Sequence, residues 1–153
     1  MSGVYKAAMA SYQATITIDG ERFGVASASV ALETLKDHSQ MPEMGSLKTT
    51  IRVSVDLRDS ANLPPSLLLK LFDLANVVVA PKIKPIKIEF WKDSEHKELL
   101  CAYSFDGWIS KFETEIPTPR EGGEPPAALG GLLTLHLEPV MGQANFREIS
   151  LSG

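Results

Sequence analysis

The segment Trp91–Leu100, WKDSEHKELL, brings together the side chains in this sequence that are best suited to chemistry. Three carboxylates, those of Asp93, Glu95 and Glu98, and the imidazole of His96 lie within six positions. Such groups could bind a metal ion or transfer protons if they converged on one point. Neighbours on a short turn tend to point apart, and two alternating, strand-like runs flank the segment. We therefore interpret it as a solvated, metal-free turn at the tip of a β-hairpin.

The remaining polar residues do not form a catalytic motif. The patterns G-x-S-x-G, H-E-x-x-H and C-x-x-C are absent, and so is a P-loop. His38 lies in a loop and His136 on the polar side of a strand, and neither has neighbours that suggest a triad. Cys101 falls on the apolar side of its strand, which predicts a buried, unreactive thiol. The sequence therefore predicts a protein that is not an enzyme and that uses no cofactor.

Length and composition exclude several other classes of protein. The 153 residues suit one domain, and the net charge of −4 argues against sequence-independent binding of nucleic acid. A single cysteine permits no internal disulfide and fits a reducing compartment. No apolar run reaches the roughly 20 residues of a membrane helix. The first residues, MSGVYKAAMASYQ, lack the apolar core of a secretory signal, so we expect no signal peptide.

Alternating polar and apolar residues predict a mainly β protein. The run YQATITIDG reads as a half-buried strand that ends in a tight turn at Asp19-Gly20. The return strand changes its apolar parity, which predicts a bulge near Ala26–Ser27. Further strands are predicted in LKTTIRVSVDL, IKIEFW, LLCAYSFD and LLTLHLEPV, with a second bulge just after Gly107 that turns Trp108 inward.

Three other segments interrupt this β pattern. Residues 33–46 have no periodicity and predict a long loop, and residues 117–131 are rich in Pro and Gly and predict another. The run SLLLKLFDLAN predicts the one helix, with Ser60 or Asn62 as its cap, prolines in its first turn and a stop at Asn76. The predicted fold is a small antiparallel β-barrel or sandwich with one α-helix.

Two of the predicted strands carry an unusual outward face. It is made largely of small uncharged residues, whereas an ordinary solvent face is richer in Lys and Glu. Such a face suits the lining of a lumen or a contact with another subunit. The residues concerned are Ser27, Ser29, Ala31, Thr50, Arg52 and Ser54.

The order of these elements resembles that of the haemolysin-coregulated protein (Hcp) family, the tube subunits of type VI secretion systems, and of related contractile-tail tube proteins. The likeness runs from Tyr12 to Met141 and includes YQATITIDGERFGVASASVALE, the long loop, KTTIRVSVDL, PPSLLLKLFDLAN and GLLTLHLEPV. It implies three parts: a flexible arm at 1–11, a tube-type domain at 12–141 and a C-terminal extension at 142–153. Ala28 and Val30 stand where many members carry an aromatic pair, which leaves the branch of contractile systems open.

The resemblance implies hexameric rings that stack into a tube, which a contracting sheath drives out of the cell. It implies as partners further copies of the chain, the sheath, spike and baseplate proteins, and small effectors in the lumen. Nucleic acid is not among the expected partners, and a membrane is expected only as a target. By position, Ser29 matches the family's lumen-facing serine, and the loop 33–46, with Leu35, Met41, Pro42 and Met44, matches the loop that contacts the next ring.

Three alternatives remain open from the sequence. The chain could be the tube subunit of a phage-like tail or of an extracellular injection system. It could instead be a monomeric β-barrel module that binds a small ligand. A hydrolase that uses His96 or His136 is a third possibility.

Overall fold

A computed structural model describes residues 12–45, 47–116 and 131–140, and the backbone of 148–151. The expected N-terminal arm at 1–11 and most of the loop 117–131 lie outside the described residues. So does the C-terminal extension, apart from that four-residue backbone segment.

The described chain forms one antiparallel sheet and one α-helix, which confirms the mainly β prediction. The sheet order is β2-β1-β5-β6-β7-β4-β3, and β8 pairs with the first half of β6. The element bounds are β1 Ala14–Ile18, β2 Glu21–Val25, β3 Ser27–Glu33, β4 Lys48–Asp56, α1 Pro65–Ala75, β5 Lys84–Trp91, β6 Leu99–Glu115, β7 Leu132–Pro139 and β8 Glu148–Leu151. No described helix is long and apolar enough to cross a membrane.

The strands β2 and β3 lie at opposite edges of the sheet although only Ala26 separates them in sequence. The sheet must therefore curl until its two edges meet at this corner, where the Ala26 amide donates to the Ser54 carbonyl at 2.7 Å. No ladder joins β2 to β3, so the curled sheet is not a closed barrel. The expected change of apolar parity is present, but a corner between two strands produces it rather than a bulge within one.

The core fills the concave side of the curled sheet and is covered by α1. Strand residues such as Ile16, Phe23 and Val53 are fully buried there. From the helix, Leu67, Leu71 and Leu74 join them at the spacing of one helical face, as the sequence predicts. The helix also has the expected prolines at its start and Asn76 at its end.

Two local predictions were wrong. The cap of α1 is Pro64 and no side chain caps the helix, because the Asn62 amide is bonded elsewhere. In β6, the register shift lies between Ile109 and Lys111 rather than just after Gly107. The buried residue is consequently Ile109, whereas Trp108 is on the opposite side of the strand and only half-buried.

Candidate functional site

Residues 92–98 form a turn between β5 and β6. The Asp93 carboxylate organises it by accepting hydrogen bonds from the amides of Lys97 and Glu98, both at 3.1 Å. These bonds, chiefly that from Glu98, hold the pKa of Asp93 below its usual range. In the described residues, no group of three or more His, Cys, Asp or Glu side chains could hold a metal ion.

His96 folds this turn back onto the start of β1 instead of pointing into solvent. Its backbone is left-handed, with φ of 58°. Its ring lies against that of Trp91, with 5.1 Å between the ring centroids, and its Nε2 is hydrogen-bonded to the Tyr12 carbonyl. Trp91 is held in turn by a bond from its Nε1 to Thr15 Oγ1 at 3.1 Å. The turn is therefore a structural element with defined contacts.

The side-chain amide of Asn62 satisfies both backbone hydrogen-bonding groups of Gly24 on the outer edge of β2, and nothing in the sequence pattern predicted this contact. Asn62 is fully buried; its Oδ1 accepts from the Gly24 amide at 2.7 Å and its Nδ2 donates to the Gly24 carbonyl at 2.8 Å. The Tyr12 ring covers Gly24 so closely that a Cβ there would come within 2.4 Å of it. The Tyr12 hydroxyl then donates to Asp59 at 2.8 Å.

The six residues predicted to form an outward face do share one side of β3 and β4. Ser29 lies opposite Arg52, Ser27 opposite Ser54 and Ala31 opposite Thr50. All are exposed except Ser54, which is half-buried. Between them alternate the core residues Ile51, Val53 and Val55, which point the other way.

The strand register extends this face across β7 and the second half of β6. Arg52 pairs with His136 and His136 with Lys111, so one row carries Ser29, Arg52, His136 and Lys111. The next row carries Ser27, Ser54, Thr134 and Glu113. Lys111 forms an ion pair with Glu113 at 3.1 Å, whereas Arg52 has no ion pair with any residue that the structure describes. We call these rows on β3, β4, β7 and β6 the outward face.

Both ends of the outward face have strand edges without a partner in the described chain. β3 pairs with β4 alone, so its outer side is open along its whole length. β5 pairs with β6 only up to Gly107, which leaves the same side of Trp108–Glu115 without a paired strand. Unpaired strand edges are templates for the addition of another strand.

The loop predicted at 33–46 is an ordered extension of the β3–β4 hairpin. A bridge joins Lys36 to Pro42. At the tip, the Asp37 carboxylate accepts hydrogen bonds from the Ser39 hydroxyl at 2.7 Å, the Ser39 amide at 2.9 Å and the Met41 amide at 3.0 Å. These bonds, that from the Ser39 hydroxyl first, lower the pKa of Asp37.

The predicted apolar residues of this loop are exposed. Leu35 is 42% exposed, Met41 60% and Met44 89%, and Pro42 is also exposed. The Met41 backbone is fixed on both sides, since the Asp37 amide also donates to its carbonyl at 2.8 Å. The loop therefore presents apolar side chains from an ordered backbone.

Comparison with known proteins identifies the fold. Neither a family model nor a curated protein sequence matches the chain. Among solved structures it is similar to Hcp1 from Flavobacterium johnsoniae, at 16% identity and a TM-score of 0.59, over 91% of this chain and 94% of that one. It is also similar to Hcp1 from E. coli EAEC 042, at 9% identity and a TM-score of 0.53, over 84% and 87%.

A third similar structure is the PVC sheath/tube terminator of an extracellular contractile injection system. Its identity is 17% and its TM-score 0.52, over 87% of this chain and 94% of that one. The chain thus has an Hcp-like fold along most of its length.

Proposed function

We propose that this protein is the tube subunit of a type VI secretion system. It forms hexameric rings that stack into an inner tube, and it acts as a structural component rather than as an enzyme. The Hcp-like fold supports this proposal. The observation that carries it furthest is the outward face, four strands wide, with an unpaired edge at each end.

The direction of the strands explains how such a face can close into a ring. Neighbouring strands run antiparallel through β3, β4, β7 and β6, so the first and last of these four strands run in opposite directions. The open edge of β3 in one copy can therefore pair with the open half of β6 in the next copy in the antiparallel sense. The same contact repeated around an axis closes a ring and removes the exposed edges.

In this ring the outward face lines the lumen. The side chains proposed to contact small effector proteins there are Ser27, Ser29, Ala31, Thr50, Arg52 and Ser54. Small hydroxyl-bearing side chains keep a channel wide and hydrated, and they form hydrogen bonds to many kinds of protein surface. The buried amide of Asn62 occupies the backbone groups of Gly24 in the middle of the β2 edge, which disfavours strand addition there and favours the β3 edge.

The hairpin extension at 33–46 contacts the adjacent ring through Leu35, Met41, Pro42 and Met44. Rings with two different faces stack head to tail, and this geometry generates an open filament. The other partners follow from this role: a contractile sheath around the tube and spike and baseplate proteins at its end. The protein is made in the cytoplasm and leaves the cell through the apparatus.

The tube of an extracellular injection system is the second candidate. It is favoured by the similarity to the PVC sheath/tube terminator, which extends over 87% of this chain. Both candidates predict rings and tubes. They differ in whether purified tubes bind the sheath and effectors of a type VI system.

Negative-stain electron microscopy and sedimentation of the purified protein test the proposal. We expect six-membered rings with an open centre, and tubes at high protein concentration. Val30→Pro places a proline in the unpaired edge strand β3 and should abolish rings. Val30→Ala, which also removes part of the half-buried side chain but keeps the backbone amide, is the control and should keep them. A monodisperse monomer at all concentrations would instead support a ligand-binding module.

A further inference from the structure

A groove with aromatic walls lies at the corner where β2 passes into β3. Its volume is about 490 Å³. The walls include Tyr12, Phe90, Trp91 and Leu100, and the chain at Ala26 forms one rim. Leu100 is 50% exposed, so an apolar side chain already faces solvent there. Tyr12 lines the groove with its ring while its hydroxyl contacts Asp59, and none of the six residues proposed to line the lumen borders the groove.

The walls of the groove are fixed before anything binds. The Trp91 ring is held by Thr15, packs against His96 and lies under the Arg22 guanidinium at 5.8 Å. The Phe90 ring packs edge-on against Tyr103 with 6.2 Å between the centroids. Polar residues, Gln13 and Ser94, complete the lining, so the aromatic walls belong to a groove of mixed character. A preformed concavity costs little ordering entropy when a ligand enters it.

The groove and the hairpin extension lie at opposite ends of β3. Ala26 and Ala28, at the start of β3, line the groove, whereas the extension begins after Glu33 at its end. A strand advances about 3.4 Å per residue, so the seven residues of β3 separate the two features by roughly 20 Å. The tip therefore cannot occupy the groove of its own copy, but the tip of a second copy displaced along β3 can do so.

We propose that Met41 of one copy docks into the aromatic groove of the copy in the adjacent ring. The proposal rests on the proposed tube function and specifies the receiving half of the axial contact. Methionine suits this role because its flexible thioether adapts to irregular apolar surfaces and makes favourable contacts with aromatic rings. Asp37 holds the Met41 backbone in place, so only the side chain has to be ordered when it docks.

This docking has the symmetry that a tube requires. The two contacting surfaces, the tip and the groove, are different, so each copy offers one of each and the contact is heterologous. Repetition along β3 then adds copies without limit. The aromatic groove also explains why the turn at 92–98 is folded back on β1, since His96 supports Trp91 from the side.

Thiol cross-linking of the full chain tests the docking. In a Cys101→Ala background, one preparation carries Met41→Cys and a second carries Ser94→Cys or Ala26→Cys, two positions that line the groove. The two preparations are mixed and treated with oxidant or with a short bismaleimide. We expect covalent dimers in the mixture and none when either preparation is treated alone. A Ser66→Cys preparation, with its thiol at the exposed start of α1, is the control and should not cross-link to Met41→Cys.

The groove itself is tested with Leu100→Ser and the conservative Leu100→Met. We expect Leu100→Ser to lose tubes but keep rings, and Leu100→Met to keep both. Tubes that form without any cross-link between the tip and the groove would overturn the docking and leave the proposed function standing. Equal cross-linking to Ser66→Cys would also overturn it. A protein that forms neither rings nor cross-links would overturn both proposals.

Discussion

The phenol of Tyr12 joins the start of β1 to the turn before the helix. Burial, and then the neighbouring Asp59, raises the pKa of Tyr12 well above its ordinary value. The folded state therefore favours the protonated phenol. The contribution of the Tyr12 phenol to the free energy of unfolding is fully present below its unfolded pKa of about 10. It is lost as the pH rises from there towards the folded pKa.

We expect Tyr12→Phe to remove this alkaline loss of stability. At pH 7 the substitution should cost about 1 kcal/mol, the typical net value of one hydrogen bond. Urea unfolding at a series of pH values up to 10.5 measures both effects. The control is Tyr103→Phe. It keeps the Tyr12–Asp59 contact and should therefore keep the alkaline loss of stability that Tyr12 causes. An identical pH profile for wild type and Tyr12→Phe would contradict the argument.

Asn62 should contribute strongly to the stability of the fold through its two hydrogen bonds to Gly24. Asn62→Ala leaves the amide and the carbonyl of Gly24 without their partner in a buried position. Buried groups that lose their hydrogen bonds cost about 1–3 kcal/mol each, so we expect a loss of roughly 2–4 kcal/mol in the free energy of unfolding. Chemical denaturation measures it, with the exposed Asn76→Ala as control. A loss no larger than that of the control would show that solvent replaces the amide.

At the scale of elements, the turn at 92–98 is shaped by the hydrogen bonds to Asp93 and by the contacts of His96. We expect the protein to be purified without a stoichiometric metal ion, and His96→Ala to keep the fold, since the Asp93 bonds that shape the turn remain. Elemental analysis and circular dichroism check this. Bound metal that disappears in His96→Ala would refute it.

The hairpin extension is the element whose loss should separate the two steps of assembly. Met41→Asp combined with Met44→Asp places charges where the axial contact is proposed, while the β3 and β6 edges are untouched. We expect single rings to persist and both tubes and secretion to be lost. Met41→Leu with Met44→Leu, which conserves apolar volume, is the control. Normal tubes from the double Asp variant would show that the extension is only an exposed excursion.

The same extension should be sensitive to acid. The carboxyl of Asp37 has a lowered pKa, so its stabilising contribution is present above the unfolded Asp pKa of about 3.9 and is lost as the pH falls through the lower folded pKa. Asp37 also holds the Met41 backbone. The axial contact should therefore weaken in this acidic window.

At the scale of the whole molecule, the curled sheet places Ser29 on the outward face that is proposed to line the lumen. Ser29→Gln adds bulk on the outward face without touching the core. We expect rings of unchanged stability and less effector bound to them. Co-purification of effector with the rings, from cells that carry the native secretion system, measures this. Ser29→Ala, which keeps the small volume, is the control. If Ser29→Gln dissolves the rings, the residue lies at a subunit contact instead.

The local sequence determined most of the elements. The alternation in β1, β4 and β7, the left-handed turn at Asp19-Gly20 and the apolar face of α1 were all predictable, because each depends on neighbours in the chain. Strand alternation also predicted that Ser29 and Arg52 point to the outward side of their strands. It did not predict that they lie opposite each other.

Tertiary structure decided what depends on distant neighbours. The identity of the Gly24 partner is one example, because Asn62 lies 38 residues away and looks in sequence like a helix cap. The position of the register shift in β6 is a second example, because pairing with β7 places Ile109 rather than Trp108 in the core. The corner at Ala26 is the third: parity signals a change of side there, but only the curling of the whole sheet sends β2 and β3 to opposite edges. The order of strands in the sheet depends on pairing between distant segments, and the alternation within any one strand does not encode it.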